Sequence, residues 1–116
     1  MIVCAIDDLI FSIKVSTAAK ALKADVYFER SGDKLLETIR ERRPALVIFD
    51  LNSARLRPLD AIAAVKGDPD LSATKTLGYV SHVDTVTIET ARAAGIDQVM
   101  ARSTFVAQLG DILTSA

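Results

Sequence analysis

The chain has 116 residues and a formal net charge of −1, with 14 Lys and Arg against 15 Asp and Glu, and half of its residues are hydrophobic. That length suits one domain with its own core, here residues 1–116, and the near-neutral balance lacks the basic excess of a dedicated nucleic-acid binder. Cys4 is the only cysteine, so no internal disulfide can form, and with no signal-peptide pattern or membrane-length apolar run the expected setting is the reducing cytoplasm, with no membrane partner.

In chain order, Ile2 to Ile6 predicts a first strand, and Ile10 to Lys23 a helix with apolar positions at Ile13, Ala18, Ala19 and Leu22. Asp25 to Phe28 predicts a second strand. Ser31-Gly32-Asp33 opens a helix that carries Leu35, Leu36 and Ile39 on one face, and Arg42, Arg43 and Pro44 close it. Ala45 to Phe49 is continuously apolar and ends at Asp50, as expected of a strand buried on both faces in the middle of a parallel sheet. After a polar loop from Asn52 to Arg57, Pro58 is placed to open a helix running through Val65, and Gly67-Asp68-Pro69-Asp70 breaks it. Thr76 to Val80 predicts a fourth strand. Asp84 can cap a helix with Val86, Ile88, Ala91 and Ala94, which Gly95 ends. Gln98 to Ala101 predicts a fifth strand, and Ser103 a cap for a last helix through Leu113, with Gly110 its weak point.

Strands that alternate with helices imply an α/β fold with a doubly wound parallel sheet covered on both faces, and five of each in this length fit the flavodoxin-like arrangement. Sites in such sheets lie outside the C-terminal ends of the strands, near the switch point in strand order. There the sequence places Asp7 and Asp8 after the first strand, Asp50 after the third with Asn52 two residues on, Ser81 and His82 after the fourth, and Arg102 after the fifth. Clustered carboxylates raise one another's pKa unless a cation joins them, and a hard divalent ion such as Mg2+ suits oxygen ligands. A carboxylate beside such an ion can attack a phosphoryl donor and form an acyl phosphate.

With Asp-Asp after strand one, Asp after strand three, Ser after strand four and a basic residue after strand five, the chain resembles the receiver domain of bacterial response regulators over essentially its whole length. The resemblance implies a sheet in the order 2-1-3-4-5, Asp50 as phosphoacceptor, and Mg2+ held by Asp7, Asp8, Asp50 and the backbone carbonyl of Asn52. It makes Ser81 the switch hydroxyl and puts Arg102 where the family has lysine. It also implies a histidine kinase or phosphotransfer protein upstream and a protein partner or homodimer downstream, with contacts through Asp84 to Ala116. No enzyme activity is expected beyond self-phosphorylation and autodephosphorylation at Asp50, in a domain that stands alone.

The departures from the family pattern are Arg102 for lysine, Ser103 for the following proline, His82 after the switch hydroxyl, Val99 for an aromatic, and a loop from Asn52 to Pro58 without Met-Pro or Asp-Gly. Arg and Lys are not interchangeable around phosphate. They support an alternative, a pseudo-receiver that binds partners without phosphorylation, with Arg102 a permanent ion-pair partner of Asp50. Taken singly, Asp8 fits a helix cap, His82 a loop residue, Cys4 the core, and Arg40, Arg42 and Arg43 a solvated helix end. A phosphatase of the haloacid-dehalogenase type is disfavoured because Asn52 stands where a second Asp is needed. No histidine after strand three suits cobalamin, and no Gly-rich phosphate motif appears.

Overall fold

The computed structural model describes residues 1–81 and 84–116. Five strands, β1 (Ile2–Ala5), β2 (Val26–Phe28), β3 (Leu46–Asp50), β4 (Lys75–Val80) and β5 (Gln98–Ala101), form one sheet in the order β2-β1-β3-β4-β5. Every pairing is parallel. The helices are α1 (Leu9–Leu22), α2 (Gly32–Arg42), α3 (Pro58–Gly67), α4 (Thr85–Ala93), α5 (Arg102–Ala107) and α6 (Leu109–Ser115), with a 3-10 turn over Pro69–Leu71. This is the doubly wound flavodoxin-like architecture that the alternating pattern implies.

The continuous apolar run before Asp50 becomes the central strand because both of its faces are covered. Val47 and Phe49 join Val3, Ala5 and the buried sides of α2, α3 and α4, including Leu35, Ile39 and Ile62. Ile48 joins Ile2, Cys4, Leu77, Tyr79 and the buried sides of α1, α5 and α6, including Phe11, Phe105 and Leu109. Side chains alternate along a strand, so each residue of β3 belongs to one of two cores. Cys4 is fully buried, and burial pushes its thiol pKa up to about 12, which leaves it an inert core residue.

Most helix signals act where the sequence puts them. Pro58 is the first residue of α3, the Asp84 carboxylate accepts the N–H of Thr87 at 3.1 Å, and Gly95 follows α4 with φ +99°. Other expectations are corrected. The buried stripe of α1 is Phe11, Ser12, Val15 and Ala19, whereas Ile13 and Leu22 are exposed. The first turns of α1 are apolar almost all round, so periodicity left two faces open, and the face carrying the large ring of Phe11 is the one that turns inward. Val86 of α4 is likewise exposed. Ser103 caps nothing: α5 begins directly at Arg102, with Ala101 as the residue before its first turn. The last helix is two helices parted at Gln108, which lets Leu109 and Leu113 turn onto the core. Arg40, Arg42 and Arg43 are exposed at the end of α2, as a solvated helix end requires; the Arg42 guanidinium lies 3.5 Å over the Tyr27 ring and Arg40 pairs with Asp68 at 3.3 Å.

Candidate functional site

The C-terminal ends of β1, β3, β4 and β5 bring the predicted residues to one edge of the sheet. Asp50 ends β3 and is only 9% exposed. Its side chain shares the α1 and α5 face with Ile48, and its register partner on β4 is Tyr79. One carboxylate oxygen, Oδ1, accepts the backbone N–H of Asn52 at 3.0 Å, a local turn typical of Asp. Burial is the main force raising the Asp50 pKa above the ordinary carboxylate value; the Asp7 and Asp8 charges push the same way, and the Asn52 N–H and Arg102 pull against them. Asp7, Asp8 and Arg102 therefore all act on the charge of Asp50.

Asn52 does more than lie nearby. Its backbone N–H binds the Asp50 carboxylate, and its side-chain oxygen accepts the N–H of Ser81 at 2.7 Å. It ties the end of β3 to the end of β4, a side-chain role that the sequence reading, concerned with its carbonyl, did not contain. Ser81 itself is exposed just beyond β4. His82 lies outside the described residues.

Asp8 is committed twice. As the N-cap of α1 its Oδ1 accepts the Phe11 N–H at 3.0 Å, the simple role that an Asp before a helix fills. Its other oxygen, Oδ2, lies 3.7 Å from Nη2 of Arg102. The Arg102 guanidinium sits 4.0 Å over the ring of Phe11. The ion pair of Arg102 is thus with Asp8, which corrects the expectation of a permanent pair with Asp50. Asp8 and Arg102 are 42% and 37% exposed, so water screens their attraction.

Phe11 and Tyr79 are residues of the site that the sequence did not single out. Their ring centroids are 5.1 Å apart, and Phe105 stacks on Tyr79 at 4.9 Å. The Tyr79 hydroxyl is buried and, among the described residues, is the one buried side-chain polar atom without a hydrogen-bond partner. Burial foremost, then the Asp50 charge, pushes its pKa up. The spacing of Phe11 three residues after Asp8 was the available signal, because the cap bond brings them together.

The donors at this edge are hard oxygens of the kind a divalent cation takes. Their like charges already strain Asp50, and its register partner Tyr79 carries a buried hydroxyl with no hydrogen-bond partner among the described residues, so the residues fit such an ion in chemistry. In arrangement they are not gathered: among the described residues no three acidic, His or Cys side chains lie closely enough to hold a metal ion, and Asp8 is engaged by the Phe11 N–H and by Arg102.

No family model matches the chain, and no curated protein matches it in sequence. Solved structures do match in shape. A response regulator from Hahella chejuensis superposes with a TM-score of 0.86 at 16% identity, covering 97% of this chain and 91% of that one. The Mn2+-bound form of response regulator Rcp1 gives 0.81 at 17% identity over 96% and 89% of the two chains. The chain has the receiver fold. The phosphorylated cyanobacterial phytochrome response regulator RcpA shares that receiver fold with a TM-score of 0.74 at 19% identity, over 98% and 89% of the chains. Within a receiver fold, the acidic edge of this chain falls at the switch point where such sheets place their sites. No helix among the described residues is long and apolar enough to cross a membrane.

Proposed function

We propose that the chain is a receiver-like signalling domain in which Asp50 accepts a phosphoryl group with Mg2+ and a protein partner reads the resulting change of surface. The observation that carries this is the position of Asp50, nearly buried at the end of the central strand and acted on by Asp7, Asp8 and Arg102 together. The matching structures add support, since Rcp1 is Mn2+-bound and RcpA is phosphorylated in them.

In this reading an Asp50 carboxylate oxygen attacks the phosphorus of a donor, the bond to the donor's leaving group breaks, and an acyl phosphate forms. The ligands for Mg2+ are Asp50, Asp7, the Asn52 carbonyl and, once free of Arg102, Asp8. A bound divalent cation supplies the positive charge that keeps Asp50 ionised and offsets the charge of the phosphoryl oxygens. Arg102 offers the new phosphate a planar set of donors in place of the usual ammonium. Ser81 is the switch hydroxyl. Because its N–H is bound by the Asn52 side chain, a shift at Asp50 has a two-bond route to Ser81. The donor is a histidine kinase or phosphotransfer protein, and the output passes through α4, β5 and α5 to a protein partner, a second copy included. The setting is cytoplasmic, and self-phosphorylation and autodephosphorylation are the only catalysis.

The engagement of Arg102 with Asp8 and Phe11 favours a second reading, a pseudo-receiver whose partner contacts need no phosphorylation. Beryllium trifluoride with Mg2+, a mimic of an acyl-bound phosphoryl group, separates the two. Shifts in the backbone NMR signals of Asp50, Asn52, Ser81 and Arg102, absent in Asp50→Asn, support the phosphoacceptor. A spectrum unchanged at saturating reagent supports the pseudo-receiver.

A further inference from the structure

The acidic edge contains its own cation. Asp8 holds the N–H of Phe11 through one oxygen and faces the Arg102 guanidinium with the other, while the ring of Phe11 lies under that same guanidinium. One residue, Phe11, thus fixes Asp8 through its backbone and Arg102 through its side chain. The ring cannot swing freely, because it is 3% exposed and packed against both Tyr79 and Phe105. Nor can the base of Arg102 drift, because it follows β5 with no intervening loop and opens α5.

We propose that the stack of Arg102 on Phe11 is a latch that keeps the guanidinium on Asp8, in competition with a divalent cation, so that cation binding beside Asp50 requires Arg102 to lift from the ring. The inference rests on the reading of this edge as a cation site and names the residue that regulates it. It accounts for two facts together: the donors have the chemistry of a metal site, yet one of them, Asp8, is already engaged by the Phe11 N–H and by Arg102. Phe11 is a positioning residue in this scheme, acting only through Arg102.

The latch depends on a flat guanidinium resting on a flat ring, and charge alone does not make it. Lysine keeps the charge but presents a compact ammonium on a flexible stem, and leucine at position 11 keeps the core apolar but removes the ring face. Both Arg102→Lys and Phe11→Leu therefore release Asp8 without changing the net charge of the site.

The test is Mn2+ binding, read from the EPR signal of the free ion, on the wild-type chain, Arg102→Lys, Phe11→Leu and Asp50→Asn, each checked for folding by circular dichroism. Releasing the stack is expected to tighten Mn2+ binding about fivefold in Arg102→Lys, the equivalent of roughly 1 kcal/mol. Phe11→Leu should move the same way, and Asp50→Asn should abolish binding. Arg102→Lys lies at a part-exposed position, so its readout survives even if Phe11→Leu disturbs the core. If the wild type binds Mn2+ and Arg102→Lys binds it no more tightly, the latch is wrong and the cation site stands. If neither binds Mn2+ at millimolar concentration, the cation-site reading falls and the latch with it.

Discussion

Asp50 and Tyr79 stand opposite each other in the register of β3 and β4, one bearing a nearly buried carboxylate and the other a buried hydroxyl without a hydrogen-bond partner among the described residues. Burial foremost, and the Asp50 charge after it, make Tyr79 harder to ionise. The pair is suited to a site that awaits a ligand and poorly suited to a purely structural core.

Tyr79→Phe removes a hydroxyl that was taken out of water without a hydrogen bond in return. The ring and its stacking on Phe105 are kept. Thermal unfolding of the ligand-free protein should show no loss, and a gain of up to about 1 kcal/mol. A loss of more than that would mean that the hydroxyl is paired in solution.

Asp50→Asn should stabilise the ligand-free protein at neutral pH by about 1 kcal/mol, the scale of removing an incompletely compensated charge. The Asp50 pKa is raised on folding, so the folded state holds this proton more tightly than the unfolded chain. The stability it confers is present in acid and is lost as pH rises from the ordinary carboxylate value through the raised one. The advantage of Asp50→Asn should therefore shrink as pH is lowered through that window, which melting curves from pH 3 to 7 would show.

Asp97 provides the opposite case at the other end of the sheet. Burial would raise its pKa, but hydrogen bonds from Lys66 and from the N–H and hydroxyl of Thr76 outweigh that and lower it. Its stabilisation is present above the ordinary carboxylate value and is lost as pH falls through the depressed one. Asp97→Asn should cost about 1 kcal/mol at pH 7, with the charge partly screened at this exposed position, and progressively less in acid. A pH-independent cost would contradict the assignment.

Gly32 lets the loop after Asp50 approach the start of α2. A Cβ there would meet the Arg55 carbonyl oxygen at 2.5 Å, with the Leu56 backbone close behind. Gly32→Ala should cost about 1–3 kcal/mol, the scale of overpacking at a backbone contact. Because the loop carries Asn52, the NMR signals of Asn52 and Ser81 should shift as well.

The sheet was legible because β3 is apolar up to Asp50 and because short apolar runs alternate with amphipathic ones along the chain. The acidic edge was legible because Asp7, Asp8 and Asp50 fall where strands end. What stayed hidden depends on side-chain direction. Arg102 had two carboxylates within reach of any sequence argument, and the choice of Asp8 is made by the Phe11 ring, whose inward turn also leaves Ile13 and Leu22 of α1 outside while Ala18 and Ala19 keep to the core. The cap at Ser103 failed because β5 runs straight into α5, leaving no non-helical residue for Ser103 to occupy. The orphaned hydroxyl of Tyr79 reflects packing against Phe11 and Phe105, which no local pattern encodes.

The most direct test of the account is phosphoryl transfer itself. The protein is incubated with Mg2+ and a small acyl phosphate or phosphoramidate, and its intact mass is measured beside Asp50→Ala and an Mg2+-free control. The account predicts the gain of one phosphoryl group that requires both Asp50 and the cation. No gain in the wild-type protein under conditions where Mg2+ is bound, or a gain that persists in Asp50→Ala, would contradict it.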